Sequence, residues 1–300
     1  MIYDVKQDSF ASTLIGSIKG AYEFYHKQEL HPVWLFGLSG HAFIVNITKG
    51  IGPCAPYYWD KRGLSNLCNK NLGLELFYDE KHITVKSDES KKKNITKHIK
   101  EVLDQGLILL MASLEYQLII GYENSRFIVT MPWGNAPSET KYIEFDTLEG
   151  LTEFMTVSTI KPSKNGDLKE GIIRSIKYAI SLYDNPPETE DYAMGIKAYD
   201  FWLEGMNKDN CNGHGLWWSS IVWSENKKHA SEFVEVIKEH IGGDAILDDI
   251  SERYEISSEL FLELSNKEKY SLKQKRKLVT ELKVNEENIY KLLKQLPLNQ

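Results

Sequence analysis

The feature that most constrains this chain is an abrupt change of hydrophobic period. "LILLMA", "YQLIIGY", "RFIVTM" and "KYIEF" are four short strand-like runs, the second and third separated by Glu123, Asn124 and Ser125 in a turn of hairpin type. After "KPSKNGD" the strand pattern stops, and every later segment reads as helix. Strands gathered before helices predict an α+β protein rather than an alternating βαβ one.

The remaining elements follow from period and punctuation. From Phe10, the residues Leu14, Ile18, Ala21, Tyr22 and Tyr25 keep helical spacing, with Asp8 or Ser9 as cap. "LFGLSGHAFIVNI" reads as a turn feeding a strand from Ala42 to Ile47, and "TKGIGPCAPYYWDK" as an ordered loop. "LELFY" and "HITV" read as two short strands, and Ile95, Ile99, Val102 and Leu103 mark a helix that stops at Gly106. Asp167 opens a helix through Ile172, Ile176 and Ala179 that ends at Asn185-Pro186. Two more helices span Met194–Met206 and Leu216–Ile241, and the tail from Asp244 holds three. The expected division is an α+β domain over 1–162 and a helical domain over 163–300 packed on it.

Composition narrows the function. A formal charge of −7 lacks the basic footprint that nucleic-acid phosphates require, so no nucleic-acid partner is expected. The one basic run, Lys91 to Lys93 with Lys97 and Lys100, lies on a helix-patterned segment and reads as a solvated face. Cys54, Cys68 and Cys211 form no CxxC or even framework, which points to a reducing, cytoplasmic compartment. The apolar run "LILLMASL" is far shorter than the roughly 20 residues that span a bilayer, so no membrane partner is expected. There is no GxGxxG, Walker lysine loop, HExxH or GxSxG, and the eight histidines are scattered, so no bound metal is expected.

What remains is a helix opened by a small hydroxyl residue, followed by a late antiparallel meander. Ser9 is either a helix cap, worth about 1 kcal/mol, or a nucleophile at a helix N-terminus. His41 is either a base or a histidine that holds its turn. Cys54, between two prolines, is either a reactive thiol or a small buried hydrophobe. Trp59 and Trp133 either line a groove for an acyl chain or belong to the core. His214, at a helix start, suits capping as well as catalysis.

The segments "DSFASTL", "GLSGHAF", "GPCAPYYW", "EYQLIIGYENSRFIVTMPWG", "GIKAYDFWLEGM" and "GHGLWWSSIVWSENKKHASEFV" resemble the butirosin biosynthesis protein H family, over the chain to about residue 240. The resemblance implies a papain-like N-terminal domain and a helical C-terminal part. It also implies transfer of an acyl group from an acyl carrier protein or thioester, on a phosphopantetheine arm, to a small amine acceptor, with no tightly bound cofactor. It sets Ser9 where relatives carry cysteine, Glu115 with Tyr116 beside it where the related peptidases carry histidine, and Met131 where an aspartate is usual. A serine needs a base during attack, and Met131 orients nothing, so an ordinary thiol peptidase is not expected. Ser9, Glu115, His41 and Cys54 are the catalytic candidates, and Asp8, Ser39, Tyr116, Trp59, Trp133 and His214 the substrate-binding ones. A degenerate relative that binds a small molecule or peptide without turnover, and a structural partner protein, remain as alternatives.

Overall fold

The structure, a computed structural model, describes residues 2–57, 61–84, 86–145, 154–186 and 190–298. The chain forms two compact units, Met1–Leu30 with Cys68–Gly166, and His31–Leu67 with Asp167–Gln300. The division is discontinuous, in place of a single cut after residue 162, because residues 31–67 fold with the C-terminal helices.

The first unit contains α1 (Thr13–His26), β2 (Leu74–Thr84), α4 (Glu89–Asp104), β3 (Ile108–Ala112), β4 (Tyr116–Glu123), β5 (Arg126–Thr130), β6 (Thr140–Glu144) and β7 (Phe154–Pro162). Its sheet is antiparallel in the order β2-β7-β3-β4-β5-β6. The hairpin turn between β4 and β5 falls where expected, with Asn124 in the left-handed region at φ 51° and Glu123 paired with Arg126. Two expectations are corrected. "LELFY" and "HITV" form one strand, bent by register shifts around Tyr78 with Phe77 and Asp79 at positive φ. The strand β7, for which the sequence reading had no element, lies between β2 and β3.

Strand alternation gives the sheet two apolar faces. Leu109, Met111, Ile119, Phe127, Val129, Met155 and Val157 pack with Ile95, Ile99, Val102 and Leu103 of α4. Asp88 caps α4, its carboxylate accepting from the Lys91 N–H at 2.7 Å. On α1, Gly16 and Gly20 are four residues apart, and a Cβ on either would sit 2.2 Å from the Asp8 or Lys6 carbonyl oxygen. Those glycines let the segment before the helix lie directly against it, and Tyr3 N–H donates to the Ile120 carbonyl at 2.9 Å.

The second unit holds α2 (Pro32–Ser39), β1 (Asn46–Thr48), α5 (Leu168–Asp184), β8 (Tyr192–Met194), α6 (Ile196–Gly205), α7 (His214–Val236), α8 (Lys238–Ile241), α9 (Asp244–Ser265) and α10 (Leu272–Leu293). α3 (Lys61–Leu72) contributes residues to both units. The expected strand over Ala42–Ile47 is instead a 3-10 turn at His41–Phe43 followed by β1, which pairs with β8. The expected turn before it is α2, with Pro32 in its first turn and Gly40 ending it at φ 78°. The tail has two long helices, α9 and α10, rather than three.

The core of this unit carries charge. Lys227 of α7 and Glu286 of α10, 0% and 1% exposed, are paired at 2.7 Å. Tyr199 of α6 donates to Glu286 Oε2 at 3.2 Å, and Tyr183 of α5 donates to Oε1. Lys227 Nζ also lies 5.0 Å from the Tyr254 ring centroid and 3.5 Å from the Phe43 carbonyl oxygen. Burial, with the Glu286 carboxylate beside them, drives the phenols of Tyr183, Tyr199 and Tyr254 well above their ordinary pKa, so they stay protonated.

Candidate functional site at the head of the first helix

The first helix begins later than its sequence predicts. α1 starts at Thr13 with Ser12 at the N-cap position, and no side chain caps it. Ser9 is exposed, ahead of the helix, so its expected role as cap is corrected. Asp8 does not cap either; its carboxylate pairs with Lys19 at 2.6 Å, and Lys19 also holds Glu23 at 2.6 Å. Burial opposes the Lys19 charge, but the bonds from Asp8 and Glu23 outweigh it and raise the lysine pKa.

The side chains of Gln7, Thr13, Glu115 and Thr130 meet at the head of α1, together with the backbone of Tyr116. Thr13 Oγ1 donates to Glu115 Oε2 at 2.8 Å and accepts from the Tyr116 N–H at 3.0 Å. The buried Gln7 amide donates to the Thr13 and Tyr116 carbonyls at 3.1 and 3.0 Å. Its oxygen accepts from the Thr130 hydroxyl, which in turn accepts from the Leu118 N–H at 2.9 Å. The expected juxtaposition of Glu115 and Tyr116 with the start of the helix is therefore present, but the hydroxyl that Glu115 holds belongs to Thr13, not Ser9. Burial raises the pKa of the Tyr116 phenol.

Glu115 is half-buried, between buried Tyr116 and exposed Leu114 in the chain. Leu114 beside it is 61% exposed and Trp133 is 50% exposed. The Trp133 indole N–H donates to the Phe10 carbonyl at 3.2 Å, which keeps the ring near the approach to α1. Trp133 is thus neither core nor distant from the helix head.

The other candidates lie in the second unit. His41 is wholly buried in its 3-10 turn, and burial alone pushes its pKa down to about 3, so its expected role as a base is corrected. Ser39 is buried at the end of α2, donating to the Phe36 carbonyl and accepting from the His41 N–H, each at 3.3 Å. That makes it a helix-end bond rather than a ligand contact. Cys54 is exposed and its thiol is free, as are those of Cys68 and Cys211, so Cys54 is not the small buried hydrophobe that was the alternative. His214 is exposed at the first position of α7, its ring 5.1 Å from that of Trp217. Trp59 falls outside the described residues.

Gln7 and Thr13 escaped the sequence reading. The Gln7 bond to Tyr116 and the Thr13 bond to Glu115 each span more than 100 positions, and the available local signal was the Gly16 and Gly20 pair, which reports a backbone pressed against the helix. Among the described residues no group of three or more His, Cys, Asp or Glu side chains could hold a metal ion, and no helix is long and apolar enough to cross a membrane. No protein-family model matches the chain, and no curated protein matches it.

Proposed function

We propose that the first unit binds a small amine-bearing molecule or peptide at the head of α1, without a covalent step through a side-chain nucleophile. The observation that carries this reading is the Thr13 hydroxyl: fully buried, it donates to Glu115 and accepts from Tyr116, so both of its hydrogen-bonding roles are filled. Because the hydroxyl is wholly buried it positions the carboxylate and is shielded from an incoming carbonyl; its burial, and not its bond to Glu115, sets it apart from an activated nucleophile. Glu115 supplies the anionic partner for an amine, because a carboxylate accepts more than one hydrogen bond. Leu114, next to it in the chain, and Trp133, held at the Phe10 carbonyl before α1, supply exposed apolar surface.

This is the binding form of the papain-like reading suggested by the butirosin biosynthesis protein H resemblance. Its active form, acyl transfer from a carrier-bound phosphopantetheine arm to the same amine, is the outcome that would replace it. The cytoplasmic assignment belongs to the same proposal and rests on the three free cysteines. Calorimetric titration with a panel of amines and short peptides should find a ligand whose affinity falls about 10-fold or more in Glu115→Gln. Ser9→Ala should leave that affinity unchanged. Intact-mass detection of an acylated amine after incubation with acyl-loaded carrier protein would overturn the binding reading in favour of transfer.

A further inference from the structure

We propose that the outer face of α4 is a docking surface for an acidic helix of a partner protein. Ile95, Ile99 and Val102 turn one side of α4 into the core. Lys93, Lys97 and Lys100, spaced i, i+4 and i+7, therefore share the opposite side. With Lys92, Thr96 and Phe145, and with Glu89 and Glu101 at its two ends, they line a groove of about 540 Å³ in which four lysines outnumber two carboxylates. Lys100 Nζ lies 3.9 Å from the Phe145 ring centroid, so charge and apolar surface are presented together.

Lys97 meets Glu101 at 3.6 Å with the two side chains 76% and 55% exposed, whereas Lys92, 15% exposed, meets Glu89 at 3.3 Å. An exposed pair such as Lys97–Glu101 contributes roughly 0–1 kcal/mol, so an incoming carboxylate replaces it at little cost. The patch also reverses the sign of a chain whose net charge is −7. Charge complementarity therefore selects an anionic partner.

The length of the patch selects a protein helix over a polyanion. Glu89 and Glu101 bracket the lysines about 18 Å apart along the helix axis, by its rise of about 1.5 Å per residue. A continuous track of phosphates or a lipid surface would run on into those two carboxylates and the acidic remainder of the chain. An acidic stripe of about three helical turns does not.

The test uses the full chain and a stapled helical peptide of roughly five turns with glutamates at i, i+4, i+7 and i+11 and leucines beside them. Binding is read by fluorescence anisotropy. Affinity should fall about 10-fold between roughly 50 and 300 mM salt, and by a further factor of about 10 in Lys93→Glu/Lys97→Glu. A peptide with lysines in place of the glutamates should recover binding to that variant, whose helix content is checked by circular dichroism. The proposal is overturned by equal binding of the variant and the parent protein, by no binding of the acidic peptide, or by tighter binding to phosphatidylserine vesicles or duplex DNA.

Discussion

Each unit buries one dense polar cluster, and the two are built from different chemistry. The cluster in the first unit is an amide and two hydroxyls, Gln7, Thr13 and Thr130, saturated with backbone partners. In the second unit the cluster is a lysine, a carboxylate and phenols, with no exposed member in the Lys227–Glu286 pair. A neutral cluster loses one hydrogen bond when one member is removed. Removing one member of a buried ion pair instead strands a charge. The neutral cluster also has an outlet, because Thr13 connects it to half-buried Glu115. The proposed binding role is therefore placed at the neutral cluster, which has that outlet, while the charged one joins α5, α6, α7 and α10.

The largest expected effect tests that contrast directly. Lys227→Met should destabilise the protein by about 3–5 kcal/mol, and Lys227→Met/Glu286→Leu by much less, because the double variant strands no charge. Chemical denaturation measures both; equal losses would remove the distinction between the clusters. The next effect is acidic. His41 stays neutral in the folded state down to about pH 3, whereas the unfolded chain takes up its proton below about 6.5. Stability is thus intact above 6.5 and falls by about 1.4 kcal/mol per pH unit between 6.5 and 3 from this residue alone. Stability curves for the parent and His41→Gln should differ by that slope. In the first unit His26, His82 and His98 are at least partly exposed, so the second unit should lose structure first.

Smaller effects sharpen the assignment of the neutral cluster. Thr13→Val leaves the Tyr116 N–H without its acceptor and should cost about 1–3 kcal/mol, whereas Thr13→Ser should be close to the parent protein. Ser9→Ala should change stability by less than about 0.5 kcal/mol, as an exposed residue outside the helix does. A loss near 1 kcal/mol, the value of a helix cap, would return the helix start to Ser9.

The helices legible in the sequence are those with one wet face. α4 and α5 show clear periods because one side meets solvent and the other the core, whereas β4 and β5, buried along most of their length, are legible as short apolar runs set off by the turn at Asn124. α2 was hidden for the opposite reason: Val33, Leu35, Phe36, Gly37, Leu38 and Ser39 are all buried, so the helix has no polar side to report its period. Its Gly37, which suggests a turn, is instead where the Phe233 ring packs, 2.0 Å from the position a Cβ would take. β7 was hidden by Ser158 and Thr159, buried polar residues in a strand flanked on both sides by others. At the candidate site, Glu115 was legible from its place before a strand. Thr13 was not, because a good cap residue earlier in the chain drew the helix start toward it, and only the tertiary pairing with Tyr116 settles the boundary.

The partners of Gln7 also set a timetable for the ribosome. Tyr116 and Thr130 are 109 and 123 positions downstream, so at about 5–20 residues per second they are made roughly 5–25 s after it. Throughout that interval the amide and the lead-in segment lack the strands that bury them. The head of α1 is therefore completed only once β5 has been made, and a pause in translation before β5 would leave it open.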